Sequence, residues 1–138
     1  MKITLTVPGE PQGKERPRFN PKGGQPYTPS NTADYERMVV LIYRSKFGTA
    51  KFPDNAQLDM RVRAYFTIPA SDSKKKQAQK AQGDIRPTKK PDWDNIGKII
   101  SDSLNGVAYR DDSQIVDSQV RKFYSNVPRV EVTIEEAK

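Results

Sequence analysis

Apolar and polar residues alternate most regularly in the middle of the chain. From Leu58 to Ile68 every second residue is apolar, the intervening residues are mostly charged, and Pro69 ends the pattern. A period of two is typical of a strand with one buried and one solvated face. Similar patterning predicts three further strands, at residues 3–7, about 114–124 and 129–135.

Two other segments carry the spacing of helices. Residues 33–47 follow capping residues at Asn31-Thr32, and Met38, Leu41 and Ile42 form their predicted apolar face. A second helix is predicted to begin at Asp92 and Asp94 and to end at Asn105-Gly106, with an apolar face at Ile96, Ile99, Ile100 and Leu104. These elements predict a single α+β domain over residues 1–138, with one mixed sheet of four to five strands and two helices packed on it.

Residues 71–90 fit neither period. They contain almost no apolar positions and carry seven Lys or Arg against two Asp, which accounts for most of the chain's net charge of +7. Such a segment cannot contribute a face to a core, so the pattern predicts a flexible basic loop.

The overall composition narrows the possible chemistry. The chain has 24 Lys and Arg, 17 Asp and Glu, and neither His nor Cys. The absence of His and Cys excludes thiol nucleophiles, cysteine-based zinc sites and imidazole bases. The basic balance favours a polyanion partner, chiefly nucleic acid. No apolar run is long enough to span a membrane, so we expect a soluble cytoplasmic protein without a membrane partner.

The most informative acidic residues are Asp92 and Asp94, followed after the second helix by Asp111 and Asp112. Carboxylates are the ligands that Mg²⁺ prefers, and Mg²⁺ promotes phosphodiester hydrolysis by lowering the pKa of bound water. Lys98 lies one helical turn after Asp94 and could neutralise phosphate charge. The same residues could instead be a helix cap, a surface ion pair between Asp94 and Lys98, and an ordinary turn.

Aromatic residues offer a weaker signal. Trp93 could stack on a base, although a lone tryptophan beside a helix start is more typical of a core residue. Tyr43 and Tyr109 are interpreted as packing residues.

Two ordered blocks of residues resemble a known family. The run KPDWDNIGK from Lys90 to Lys98, continued by Asp102, Leu104 and Asn105-Gly106, resembles the signature of the RusA-type Holliday-junction resolvases. The block DDSQIV at 111–116 resembles the second acidic motif of that family. The segment 9–19 and the tripeptide at 27–29 resemble phage and prophage branches of it.

The resemblance implies a homodimeric, Mg²⁺-dependent endodeoxyribonuclease without a small-molecule cofactor. It would resolve four-way or branched DNA by symmetric phosphodiester hydrolysis in DNA recombination and repair. Mg²⁺, or Mn²⁺ as a substitute, would be held by Asp92, Asp94 and Asp112, with Asp111 as a further candidate, and Lys98 matches the family's essential lysine. Asn95 and Gln114 are implied to orient ligands.

Basic residues precede the acidic blocks in two segments of the chain. We expect Lys14, Arg16, Arg18, Lys89 and Lys90 to contact DNA phosphates, which would give affinity without sequence preference. Three alternatives stay open at this point. The first is a general branched-DNA or flap nuclease. The second is a non-catalytic DNA-binding module with structural acids, and the third is a domain that binds an acidic protein.

Overall fold

The residues that the structure describes fold into one sheet with three helices, which pack on its inner face or at one of its edges. The computed structural model describes residues 1–16, 23–24 and 30–138. In chain order the elements are β1 (Lys2–Pro8), α1 (Ser30–Phe47), β2 (Leu58–Thr67), α2 (Lys74–Ala81), α3 (Trp93–Ser103), a short 3₁₀ turn (Asp112–Gln114), β3 (Ile115–Ser125) and β4 (Arg129–Glu136).

The four strands form one mixed sheet in the order β1-β4-β2-β3. β4 pairs antiparallel with both β1 and β2, whereas β3 pairs parallel with β2. The prediction of an α+β domain with one mixed sheet is therefore confirmed. β3 is an edge strand and follows α3 in the chain. Because β3 runs parallel to β2, the turn at Asp112–Gln114 that connects α3 to β3 lies beside the start of β2.

The core lies between the inner face of the sheet and helices α1 and α3. The alternating apolar residues of β1, β2 and β4 all point into it, and α3 contributes Ile96, Ile99, Ile100 and Leu104. The α3 face is the one that the sequence predicted. Tyr43 and Tyr109 are also buried in this core, which confirms their interpretation as packing residues.

Helix α1 bears out only part of its predicted apolar face, because Met38 and Ile42 are half-buried and pack against the core. Its buried residues are Thr32, Tyr35, Val39 and Tyr43, while Leu41 is 68% exposed. Tyr35, Val39 and Tyr43 recur every four residues, which is also a helical stripe. The two tyrosine rings of this stripe fill the core, Met38 and Ile42 border it, and Leu41 faces outward.

The described residues form three helices and not the predicted two, because α2 lies within the segment predicted to be a flexible basic loop. The Ser73 side chain accepts a hydrogen bond from Lys76 N and caps α2. Lys80 is buried, lies 2.6 Å from Asp72 Oδ2, and sits over the Tyr124 ring. An ion pair and a cation–π contact thus replace the apolar face that this helix lacks. No helix in the described ranges is both long and apolar enough to cross a membrane.

Candidate active site

The first turn of α3 presents two of the predicted site residues. Asp94 and Lys98 are four residues apart and share one side of the helix, opposite the buried isoleucines. Among the described residues no ion pair joins them, so the alternative of a simple surface pair is not supported. Both side chains are exposed and available to a ligand.

Asp94 and Lys98 line a cleft of about 320 Å³ together with Asp112. The cleft lies between α3 and the inner face of β3, where Gly97 meets the sheet. A Cβ atom added to Gly97 would lie 3.2 Å from Val120 Cγ2, so the helix packs closely on the strand. The remaining lining residues are Met60, Trp93, Gly97, Ser101, Ile115, Ser118 and Val120. Residues from both acidic motifs therefore meet in one cleft.

Asp112 is held at the cleft by a turn that its neighbours stabilise. Asp111 accepts a hydrogen bond from Ser113 N and forms a capping box with Gln114. The Gln114 side chain accepts from Arg110 N and Asp111 N, and it donates to Pro53 O and Ala56 O in the loop before β2. Hydrogen bonds from Ser113 lower the pKa of the Asp111 carboxyl group. Asp111 thus acts within the turn, and Asp112 is the member of the pair that lines the cleft.

Asp92 lies apart from that cleft. It occupies the N-cap position of α3, yet its side chain makes no capping hydrogen bond. It lines a second cleft of about 440 Å³ with Asn95, Lys90 and the loop at Gly13 and Lys14. Residues 92 and 95 point to one side of the helix start, whereas residues 94 and 98 point to the other. Within residues 1–16, 23–24 and 30–138 no three acidic side chains form a group that could hold a metal ion.

The charges around the two clefts differ. Burial, followed by the negative charges of Asp112, Asp102 and Asp111, raises the pKa of Tyr109, whose hydroxyl donates to Ser101 O at 2.6 Å. On the other side, burial lowers the pKa of Lys122, the Lys89 charge lowers it further, and the Asp92 carboxylate opposes both. The first cleft is thus bordered by acids, while Asp92 has basic neighbours.

The acidic cleft fits a hard divalent cation. Mg²⁺ is commonly held by one or two protein carboxylates, with water and substrate phosphate completing its coordination. Asp94 and Asp112 supply two such carboxylates on one open cleft. Asp92, the third predicted ligand, is not part of this pair in the described structure.

The predicted DNA-binding residues fall into three groups. Arg16, Lys89 and Lys90 are exposed, whereas Arg18 lies outside the described residues. The Lys14 ammonium lies 3.0 Å from Glu36 Oε2 and 3.5 Å from Asp102 Oδ2, and its side chain is 19% exposed. Lys14 therefore joins its loop to α1 and α3, a contact that the local sequence did not indicate.

Trp93 is 66% exposed beside the acidic cleft, so the interpretation of Trp93 as a core residue is wrong. Because α3 buries its isoleucine face, the residue one position before Asp94 points to solvent. Its exposed ring is available to a substrate.

Comparison with known proteins defines the class as the endodeoxyribonucleases. Residues 8–135 match the endodeoxyribonuclease RusA family, and the chain belongs to that family. It is also 38% identical over 136 residues to the uncharacterized protein YqaN of Bacillus subtilis (strain 168), covering 97% of this chain and 96% of that protein. The family resemblance stated from the two acidic blocks is confirmed.

Proposed function

We propose that this protein is a Mg²⁺-dependent endonuclease that resolves Holliday junctions by symmetric phosphodiester hydrolysis. The observation that carries the proposal is the meeting of Asp94, Lys98 and Asp112, from two separate sequence motifs, in one open cleft of a RusA-family protein. Its setting would be cytoplasmic DNA recombination and repair, and the resemblance of the N-terminal segment favours a prophage origin.

In this proposal Asp94 and Asp112 hold the metal ion, and Asp92 joins them when substrate is bound. The bound metal would neutralise phosphate charge and lower the pKa of a coordinated water. Lys98, on the same side of α3 as Asp94, would place its ammonium against the non-bridging or leaving oxygen of the phosphate. The turn held by Asp111 and Gln114 fixes the position of Asp112 and makes Gln114 a positioning residue.

Symmetric cutting requires two equivalent sites, so the proposal includes a homodimer whose two-fold axis matches that of the junction. Arg16, Arg18, Lys89 and Lys90 are proposed to contact phosphates beside the clefts. Lys90 supports this role, because it lines the second cleft together with Asp92.

The test is cleavage of a labelled four-way junction with Mg²⁺, with Mn²⁺ and with chelator. The Asp94→Asn variant removes one charge from the cleft and keeps the shape of the side chain. It should lose cutting and retain binding, because repulsion of the phosphate is relieved. Asp34→Asn is the matched control, since Asp34 is a surface residue paired with Arg37. Cutting by Asp94→Asn at the wild-type rate would refute the assignment.

Two alternatives give different results in the same assay. A general branched-DNA or flap nuclease would cut forks, flaps and junctions at similar rates. A non-catalytic DNA-binding module would bind all of them without cutting. The second alternative has one observation in its favour, since Asp92 lies apart from Asp94 and Asp112 among the described residues.

A further inference from the structure

The face of the sheet opposite the helices is open to solvent. Residues of β2 and β3 that alternate with the core positions point outward there, in register across the parallel pair. Arg63 lies beside Arg121, and Tyr65 lies beside Phe123. In the described ranges all three helices pack on the inner face or at the β3 edge, and none covers this surface.

Three arginines lie against the aromatic pair on this face, and Arg63 lies beside one of them, Arg121, in the strand register. The Tyr65 and Phe123 rings stack with centroids 5.5 Å apart. The guanidinium carbons of Arg86 and Arg121 lie 4.4 and 4.9 Å from the Phe123 centroid, and that of Arg129 lies 4.0 Å from the Tyr65 centroid. We call Arg63, Arg86, Arg121 and Arg129 the arginine patch.

The patch has too few acids to neutralise it. Arg129 pairs with Glu131 at 3.1 Å, and Glu131 also lies opposite Arg63 in the register of β2 with β4. No ion pair of Arg63, Arg86 or Arg121 is found among the residues that the structure describes. By contrast Arg61, two residues before Arg63 on the same strand, is matched by Asp59. Arg63 thus has Arg121 beside it on one neighbouring strand and Glu131 on the other, and this single carboxylate, which is shared with Arg129, offsets the repulsion between the arginines only in part. An external anion would relieve the repulsion.

We propose that the arginine patch binds the phosphate backbone of DNA, as a second contact surface outside the cleft. The choice of DNA as the anion rests on the proposed function. Guanidinium groups bind phosphate oxygens through paired hydrogen bonds, and aromatic faces hold guanidiniums in a fixed orientation. Two guanidiniums already lie against the Phe123 ring, so base stacking is disfavoured and the contact is independent of sequence.

The position of the patch suits a DNA segment that also enters the acidic cleft. Ser118 and Val120 of β3 line that cleft, while Arg121 and Phe123 point to the other face of the same edge strand. Five residues of strand separate Ser118 from Phe123, which is about 17 Å. Along the strand this distance corresponds to roughly five base pairs of duplex, and the DNA would also have to turn around the β3 edge from one face of the sheet to the other. Lys122, on the same inner face of β3 as Ser118 and Val120, donates a hydrogen bond of 2.5 Å from Nζ to Lys89 O. Both ammonium groups lie over the Phe66 ring and add positive charge on the cleft side of the strand.

The test is DNA binding by the Arg63→Gln/Arg121→Gln variant, measured by fluorescence anisotropy with chelator over a series of salt concentrations. The probes are a labelled linear duplex and a labelled four-way junction. We expect binding to both to weaken roughly tenfold, with the salt dependence of log K reduced by about 1.8 for two lost phosphate contacts. The matched control is Arg44→Gln/Lys51→Gln, which makes the same change in net charge at exposed positions near the end of α1.

Equal weakening by both double variants would show a general charge effect and would overturn the proposal, as would no change in the Arg63/Arg121 variant. A change in oligomeric state with unchanged DNA binding would assign the patch to contact between copies of the chain, which also overturns it. The variant should melt close to wild type, because the substitutions remove a like-charge pair together with the contacts of Arg121 with the Phe123 ring and of Arg63 with Glu131. Since binding is measured without metal, the result does not depend on whether the protein cuts DNA.

Discussion

Lys14 offers a direct comparison between a structural role and a DNA-binding role. Its ammonium lies between Glu36 and Asp102, and the three side chains are 19%, 21% and 27% exposed. Replacing Lys14 by Gln leaves two partly buried carboxylates facing each other without a cation. Exposed pairs contribute up to about 1 kcal/mol and breaking buried ones costs about 3–5 kcal/mol, so this site should cost about 2 kcal/mol.

For a domain of this size that cost should lower the Tm by about 6–8 °C, which a thermal melt by circular dichroism would detect. The salt dependence of DNA binding gives the second readout. A structural Lys14 leaves the slope of log K against log salt unchanged, whereas loss of a phosphate contact reduces it by about 0.9. Arg16→Gln, two residues away at an exposed position, should show the opposite pattern of normal stability and reduced slope.

A second substitution tests the origin of the stability loss. In the Lys14→Gln background, Glu36→Gln and Asp102→Asn should restore most of the lost stability, because they remove the uncompensated charges. An unchanged Tm in the Lys14→Gln variant, or no recovery in the combined variant, would refute this reasoning.

Three further predictions concern α2, Tyr109 and the cleft. Lys80→Met should lower the free energy of unfolding by about 3 kcal/mol in denaturant titrations, because it leaves the Asp72 carboxylate nearly buried and unpaired. Adding Asp72→Asn should recover much of this loss. The pKa of Tyr109 is raised in the folded protein, so its contribution to stability is complete below the ordinary tyrosine pKa of 10.0 and is lost as the pH rises above it. Tyr109→Phe should therefore reduce the fall in stability above about pH 10. The variant loses the hydrogen bond to Ser101 O, which costs about 1 kcal/mol. Thermal melts over a pH series would contradict this prediction if stability fell with pH as steeply as in the wild type. Asp112→Asn should lower the Mg²⁺ affinity measured by calorimetry and leave the Tm within about 2 °C, since Asp112 lines an open cleft; an unchanged affinity would remove it from the metal site.

The strands and helix α3 could be predicted because their apolar residues recur regularly along the sequence, and the residues in these patterns are the ones that form the core. α2 could not be found by apolar periodicity, because its contact with the sheet is made by Lys80, Asp72 and Tyr124. The run of Lys, Gln and Ala after the capping Ser73 was the available signal, since these are good helix formers. On α1, Tyr35, Val39 and Tyr43 are more deeply buried than Met38 and Ile42, and the sequence does not indicate which of the two stripes is central.

The sequence indicated which residues belong to the candidate site, but it indicated their positions relative to one another only in part. The spacing of Asp94 and Lys98 fixes them on one side of α3, and the β2–β3 pairing explains why Asp112 returns to the same cleft. The separation of Asp92 follows from its extended N-cap backbone, which the local sequence does not specify. The Lys14 contacts join residues 22 and 88 positions apart in the chain, so they depend on the packing of α1 against α3.

Single-turnover cleavage of a four-way junction in Mg²⁺ tests the central claim most directly, using Asp94→Asn, Asp112→Asn and the double variant. If the two carboxylates form one metal site, each single variant should lose nearly all cutting, and the double variant should be little worse than either, because residues that act as a unit are not additive. Wild-type cutting by either single variant, or independent and multiplicative losses from the two, would contradict the account.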